Sequence, residues 1–134
     1  MKKMKKIEIV IIKQNNKETA TIEYNRINPS LKLTTHNYTT KQYISHDLFL
    51  CFGLLRAHNP EIKFLCKGSK LNVHPSRMSS QMSEGLVAYE LTLGKPSKEE
   101  DTVRIFDYED QDITNNIEDQ INFYKKWLKS LSMQ

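Results

Sequence analysis

Two runs within the first 25 residues have the side-chain pattern of β-strands. Residues 7–13 are rich in β-branched side chains, and residues 19–24 alternate strictly, which predicts two strands. The intervening Gln14-Asn15-Asn16-Lys17 segment favours a hairpin, because asparagine tolerates positive φ. Residues 31–34 permit a further short pairing, after Pro29 interrupts the pattern.

Two other stretches carry apolar residues at helical spacing. The first apolar face consists of Tyr43, Ile44, Leu48, Cys51, Phe52 and Leu55. Thr39 or Thr40 is a suitable N-cap, and Asn59-Pro60 ends the pattern, which predicts a helix over 40–58. The second stripe consists of Ile117, Ile121, Tyr124, Leu128 and Leu131, and it predicts a helix over 114–131 with Thr114 as N-cap.

Three more apolar runs, at 62–66, 87–93 and 101–108, have the length of strands. The predicted order is therefore ββαβββα. This order indicates an α+β fold, in which a mostly antiparallel five-stranded sheet is covered by two helices. With 134 residues, the chain is expected to form a single domain over 1–134.

Charge is distributed unevenly along the chain. Residues 1–77 contain 14 Lys and Arg against 5 Asp and Glu, whereas residues 78–134 contain 6 against 11. A uniformly basic protein would suggest nucleic acid as a partner, but the acidic second half makes that class less favoured. An RNA-binding module using residues 2–6 and 63–77 remains one alternative.

The chain is expected to be cytoplasmic and not inserted in a membrane. The longest uncharged apolar stretch, residues 48–55, is far shorter than the roughly 20 residues that a bilayer crossing needs. Residues 1–6 resemble the start of a signal peptide, but Glu8 interrupts the next apolar run and Lys13 ends it too early. Cys51 and Cys66 are expected to be two buried thiols in a reducing compartment.

Candidate catalytic chemistry is sparse. The chain has no phosphate-binding loop, nucleophile elbow or metal-ligand spacing, so we expect no enzymatic activity, no cofactor and no metal. The rival hypothesis is a small enzyme that uses His74 with Ser76, or the carboxylates near Asp110. A solvated acidic loop is the favoured interpretation of Asp110 and Asp112.

The segment between residues 66 and 86 contains glycines, a proline and several serines, and it predicts a shaped connection with a short helical turn near 78–82. Met78 and Met82 are four residues apart in it. They either pack into the core beneath this segment or form an adaptable apolar contact surface.

A set of scattered motifs between residues 40 and 131 resembles a family of small bacterial immunity proteins, the partners of polymorphic toxins that include contact-dependent growth inhibition toxins. The motifs are Leu65-Cys66-x-Gly68, Val73-x-Pro75-Ser76-x-Met78, Met82-x-x-Gly85, Ala88-Tyr89-x-Leu91, Gly94-Lys95, Val103-x-Ile105-Phe106 and Gln120-x-x-Phe123-x-x-Trp127-Leu128. Arg77 stands where the family often has a glycine. The resemblance transfers no catalytic residue.

The resemblance implies a cytoplasmic protein that binds the C-terminal domain of a cognate toxin, often a nuclease, and blocks it. Because nuclease surfaces are usually basic, we expect an acidic docking surface. Its charged members are Glu99, Glu100, Asp101, Glu109, Asp110 and Asp112. The expected anchors are Tyr108 and Met78 or Met82, although the basic segment 67–77 is an alternative contact surface.

Overall fold

The larger sheet of the computed structural model, which describes residues 4–132, has five antiparallel strands. They are β1 (Lys5–Lys13), β2 (Asn16–Asn25), β3 (Ser30–Thr34), β4 (Tyr43–Ile44) and β5 (Ile62–Phe64). The spatial order is β4-β3-β2-β1-β5. Gln14 and Asn15 both have positive φ between β1 and β2, as a two-residue hairpin turn requires, so the predicted hairpin is confirmed.

A smaller antiparallel sheet of three strands has the order β6-β7-β8. Its strands are β6 (Val73–His74), β7 (Val87–Glu90) and β8 (Thr102–Arg104). The helices are α1 (Leu48–His58), α2 (Arg77–Ser83) and α3 (Ile117–Ser132), and 3-10 turns cover Lys67–Ser69 and Glu99–Asp101. The α+β class and an antiparallel five-stranded sheet are confirmed.

The core lies around α1, which is buried on nearly all sides. Ile9 and Ile11 of β1 point inward with the facing residues of β2 and β3, and Phe52 of α1 packs edge-on against Phe64 and Phe106. On the opposite side, α3 approaches so closely that a Cβ at Gly53 would overlap Ile117. The helix therefore joins both sheets and α3 into one core.

Three details of the predicted elements are wrong. The last helix begins at Ile117 and not at Thr114, and Asn116 accepts the Glu118 N–H at its start. The first helix begins at Leu48, because Asp47 is its N-cap and accepts a hydrogen bond from the Leu50 N–H at 2.8 Å. Residues 39–44 are extended instead, and β4 pairs with β3. The runs near 87–93 and 101–108 form the smaller sheet rather than joining the larger one.

A buried polar pair holds α1, α3 and the turn Lys67–Ser69 together. The guanidinium of Arg56 is fully buried and donates to the Thr114 carbonyl and to Gln120 Oε1. The Gln120 amide in turn donates to the carbonyls of Gly68 and Lys70, both at 2.9 Å. Burial lowers the pKa of Arg56 to about 10, so it stays charged at neutral pH. This pair fixes the loop that carries Lys67 and Lys70.

Candidate functional site

The basic loop and the acidic segment, which the sequence suggested as rival surfaces, pair with each other. Lys67 Nζ lies 2.6 Å from Glu90 Oε1 and 2.9 Å from Glu109 Oε1. Lys70 Nζ lies 3.0 Å from the same Glu109 oxygen and 3.6 Å from Glu90 Oε2. Two lysines and two carboxylates therefore neutralise one another at a partly buried position. We call these four residues the ion-pair cluster.

Backbone hydrogen bonds bring these distant segments side by side. The N–H of Lys67 donates to the Asp107 carbonyl at 2.8 Å, and the N–H of Glu109 donates to the Leu65 carbonyl at 3.2 Å. Gly68 permits the close approach, because a Cβ at this position would lie 2.9 Å from Ile105 Cβ. The ion-pair cluster thus depends on tight contact between loops about 40 residues apart in sequence.

Glu109 is a buried carboxylate with an unusual proton affinity. Burial alone would raise its pKa, but the N–H of Gln111 and the ammonium groups of Lys67 and Lys70 outweigh this effect and lower the pKa to about 2. The Gln111 N–H lies 2.9 Å from Glu109 Oε2. Among the acidic residues assigned to a docking surface, Glu109 therefore stabilises the fold and does not lie on the exposed surface.

The other assigned acids are accessible. Glu99, Glu100 and Asp101 form an acidic 3-10 turn, where Asp101 accepts a hydrogen bond from the Lys98 N–H at 2.9 Å. Asp110 and Asp112 are exposed on the loop that leads to α3. The accessible acids, together with the half-exposed Tyr108, form what we call the acidic surface: Glu99, Glu100, Asp101, Tyr108, Asp110 and Asp112.

Tyr108 is held against the β1–β2 hairpin. Lys17 Nζ donates to its hydroxyl at 3.2 Å and lies 5.6 Å from the ring centroid. The tyrosine hydroxyl is also 3.4 Å from Asp110 Oδ2. A fixed aromatic ring beside exposed carboxylates is a suitable anchor for a protein partner.

Met78 and Met82 are strongly exposed, at 68% and 75% of their surface. The interpretation that they pack into the core is therefore wrong. Helix α2 presents the buried Ser79 to the interior, and Ser79 forms a capping box with Ser76. The Ser80 hydroxyl donates to the buried carboxylate of Asp47. These contacts fix the helix with its methionines directed to solvent.

The two predicted anchors do not form one compact cluster. Tyr108 contacts Lys17 near the start of β2, whereas Glu84, just after α2, pairs with Arg26 beyond the end of the same strand at 2.8 Å. A strand of 10 residues spans roughly 30 Å. The segments that carry Tyr108 and the methionines therefore contact the protein near opposite ends of β2.

A cleft of about 690 Å³ lies beside α2. The β2–β3 turn, the segment before α1 and α2 form its walls, and the lining residues are Lys5, Asn25, Arg26, Ile27, Pro29, His46, Ser80, Gln81 and Glu84. Ile27 is 85% exposed and Ile44, which pairs with Ser30 beside the Pro29 wall, is 67% exposed. Of the exposed apolar residues within residues 4–132, only Ile27 lines the cleft, whereas Met78 and Met82 lie on α2, which forms one of its walls. We call Ile27, Ile44, Met78 and Met82 the methionine face.

Sequence reasoning missed Ile27 and Ile44. The available signal was an isoleucine between Arg26 and Asn28, within a turn that is otherwise polar. An apolar residue in such a turn has no core to enter, so its exposure could have been expected. Ile44 could not be found in this way, because it fitted the apolar stripe of the predicted helix.

His74, the candidate catalytic group, occupies a packing position. Its ring stacks on Tyr124 with centroids 4.2 Å apart and contacts Phe49 edge-on, while Nδ1 lies 2.7 Å from the Pro75 carbonyl. Burial lowers the pKa of His74. Ser76 accepts a hydrogen bond from the Ser79 N–H as the cap of α2. The described contacts therefore do not join His74 and Ser76 as base and nucleophile.

Both cysteines are buried and free, as predicted. Burial raises the pKa of Cys51 to about 11 and that of Cys66 to about 12, so both thiols stay protonated.

Within residues 4–132, no three His, Cys, Asp or Glu side chains are grouped to hold a metal ion. No helix in this range has the length and apolar character that crossing a bilayer requires.

Comparison with known proteins gives no identification. No protein-family model matches the chain, and no curated protein matches it.

Proposed function

We propose that this protein is a cytoplasmic immunity protein that binds the C-terminal domain of a cognate bacterial toxin and blocks its action. The observation that carries the proposal is the pair of exposed methionines on a fixed helix. Met78 and Met82 lose water contact only if another molecule covers them. Methionine is enriched in protein interfaces because its flexible side chain adapts to a partner. The family resemblance supplies the class of partner.

The acidic surface provides a second support. Asp110 lies beside Tyr108, and none of the five accessible carboxylates has an ion-pair partner within residues 4–132, so a basic toxin surface would be attracted before contact. The basic loop offers less to a polyanion, because Lys67 and Lys70 are already paired with Glu90 and Glu109. This pairing favours a protein partner over RNA.

The test is protection by co-expression. The toxin is the C-terminal domain of an exported protein encoded next to this gene, expressed in a sensitive bacterial strain with or without the full chain. We expect restored growth and co-purification of both proteins as a stable complex. Growth arrest that persists in the presence of the soluble full chain would contradict the proposal.

A filter-binding titration with single-stranded RNA separates the main rival. Micromolar affinity with a steep salt dependence would overturn the proposal in favour of an RNA-binding module, since phosphate contacts release counterions. We expect only weak binding that salt removes.

A further inference from the structure

We propose that the methionine face, with the cleft beside it, is the anchoring site for an acidic protein surface that carries an apolar side chain at its centre. This inference rests on the proposed function and names the chemistry of the partner at that contact. Its first basis is exposure. The four members of the face are more exposed than any other large apolar side chain within residues 4–132.

The second basis is that these side chains stand on fixed elements next to a preformed depression, which Ile27 and the α2 residues Ser80 and Gln81 line. Glu84, the C-cap of α2, pairs with Arg26, and its carbonyl accepts the Leu48 N–H at 2.7 Å, so the end of the helix is held in place. Gly85, with φ of 80°, packs directly against the Asp47 carboxylate. Because the backbone elements that carry these side chains are fixed, binding orders little of the main chain, which favours affinity.

The third basis is charge. Arg26 and Glu84, which line the cleft, neutralise each other, and the Asp47 carboxylate is buried and accepts the Leu50 N–H and the Ser80 hydroxyl. Lys5 also lines the cleft and is exposed. Arg77 is exposed on the same side of α2 as Gln81, which lines the cleft, because the two are four residues apart on the helix.

Neither Lys5 nor Arg77 has an ion-pair partner in the part of the chain that the structure describes. The unpaired exposed charge at the cleft is therefore positive. A partner that fits has an apolar side chain for the cleft and methionines, with Asp or Glu around it to meet Lys5 and Arg77. A second copy of this chain in a symmetric contact fits less well, because it would bring the same positive charges together.

The decisive experiment measures toxin affinity by titration calorimetry with three variants of the full chain. Met78→Ser combined with Met82→Ser is expected to weaken binding at least about 100-fold, because each methionine acts as an anchor worth about tenfold. Lys5→Glu combined with Arg77→Glu is expected to weaken it about tenfold, more at low salt. The matched control is Leu128→Ser, which removes a half-exposed apolar side chain on α3 and should leave affinity unchanged.

Protection by the wild type together with unchanged affinity of the methionine variant would reject this inference and leave the proposed function intact. A wild type that does not bind the toxin would reject both. Light scattering tests whether a second copy of this chain covers the methionine face instead. We expect a monomer near 15.7 kDa. A dimer that the methionine substitutions dissociate would overturn the inference in favour of a second copy.

A toxin-independent measurement uses two synthetic helical peptides with the same leucine stripe, one with glutamates and one with lysines on the other face. We expect amide chemical-shift changes at Ile27, Ile44 and α2 with the glutamate peptide only. Equal responses to both peptides, or changes confined to another surface, would contradict the assigned partner chemistry.

Discussion

The acidic surface and the methionine face differ in how they relate to the sequence. The acidic surface is conspicuous as a run of carboxylates, yet Glu109, in the middle of that run, is buried in the ion-pair cluster. The methionine face is scattered in sequence, over residues 27, 44, 78 and 82, but the fold exposes all four of its side chains. Charge density along a chain is therefore a poor guide to available charge, because the fold decides which groups pair internally.

The largest effect is expected from removing the support beneath the ion-pair cluster. Gln120→Ala would delete three hydrogen bonds and leave Arg56 Nη2 and the Gly68 carbonyl without their partner in the core. We expect a loss of about 3 kcal/mol in the free energy of unfolding, measured by urea denaturation. Gln111→Ala, at an exposed position, is the control and should change it by less than about 0.5 kcal/mol. Equal effects of the two substitutions would contradict the role assigned to Gln120.

The second prediction separates Glu109 from its exposed neighbour Asp110. Glu109→Gln leaves Lys67 and Lys70 with only Glu90, and we expect a loss of about 2 kcal/mol at pH 7, allowing for the partial exposure of both lysines. Asp110→Asn should cost less than about 0.5 kcal/mol. If both substitutions lower the free energy of unfolding by the same amount, Glu109 contributes no more to stability than an exposed carboxylate.

The lowered pKa of Glu109 predicts that the free energy of unfolding depends on pH. This pKa is lowered in the folded protein from 4.5 to about 2, so the folded state binds fewer protons than the unfolded chain between these values. The stabilisation is complete above about pH 4.5 and is lost as the pH falls toward 2. Acid denaturation curves of wild type and Glu109→Gln should therefore converge near pH 2. A constant difference at all pH values would exclude Glu109 as the titrating group.

Much of the fold was predictable from local pattern. The β1–β2 hairpin and α3 follow from alternation, turn residues and an apolar stripe that each lie within one segment. The start of α1 and the two-residue strands β4 and β6 depend on partners elsewhere in the chain. Propensity cannot reveal such pairing. Likewise, an i, i+4 methionine pair marks one side of a helix without saying whether that side faces core or solvent.

The fourth prediction compares the association and dissociation rates that depend on the two surfaces, within the proposed function. Charge reversal to lysine at the exposed acids is expected to slow toxin association by about threefold to tenfold at low salt, with little change in dissociation. The residues reversed are Glu99, Glu100, Asp101, Asp110 and Asp112. Met78→Ser with Met82→Ser should instead speed dissociation, because buried apolar anchors set residence time. Stopped-flow association at two salt concentrations measures both rates. An association rate that the reversals do not change, with full protection retained in cells, would reject the acidic surface as a docking site.

The smallest expected effect is on the stability of the methionine variant itself. If Met78 and Met82 lie in solvent as the structure places them, replacing both with serine should change the free energy of unfolding by less than about 0.5 kcal/mol. Methionines packed in the core would instead cost about 2–5 kcal/mol each when truncated. Urea denaturation of the variant alone decides between these cases. A large loss would also undermine the affinity measurements, because weakened toxin binding could then reflect unfolding. An unchanged stability makes any loss of affinity a property of the methionine face.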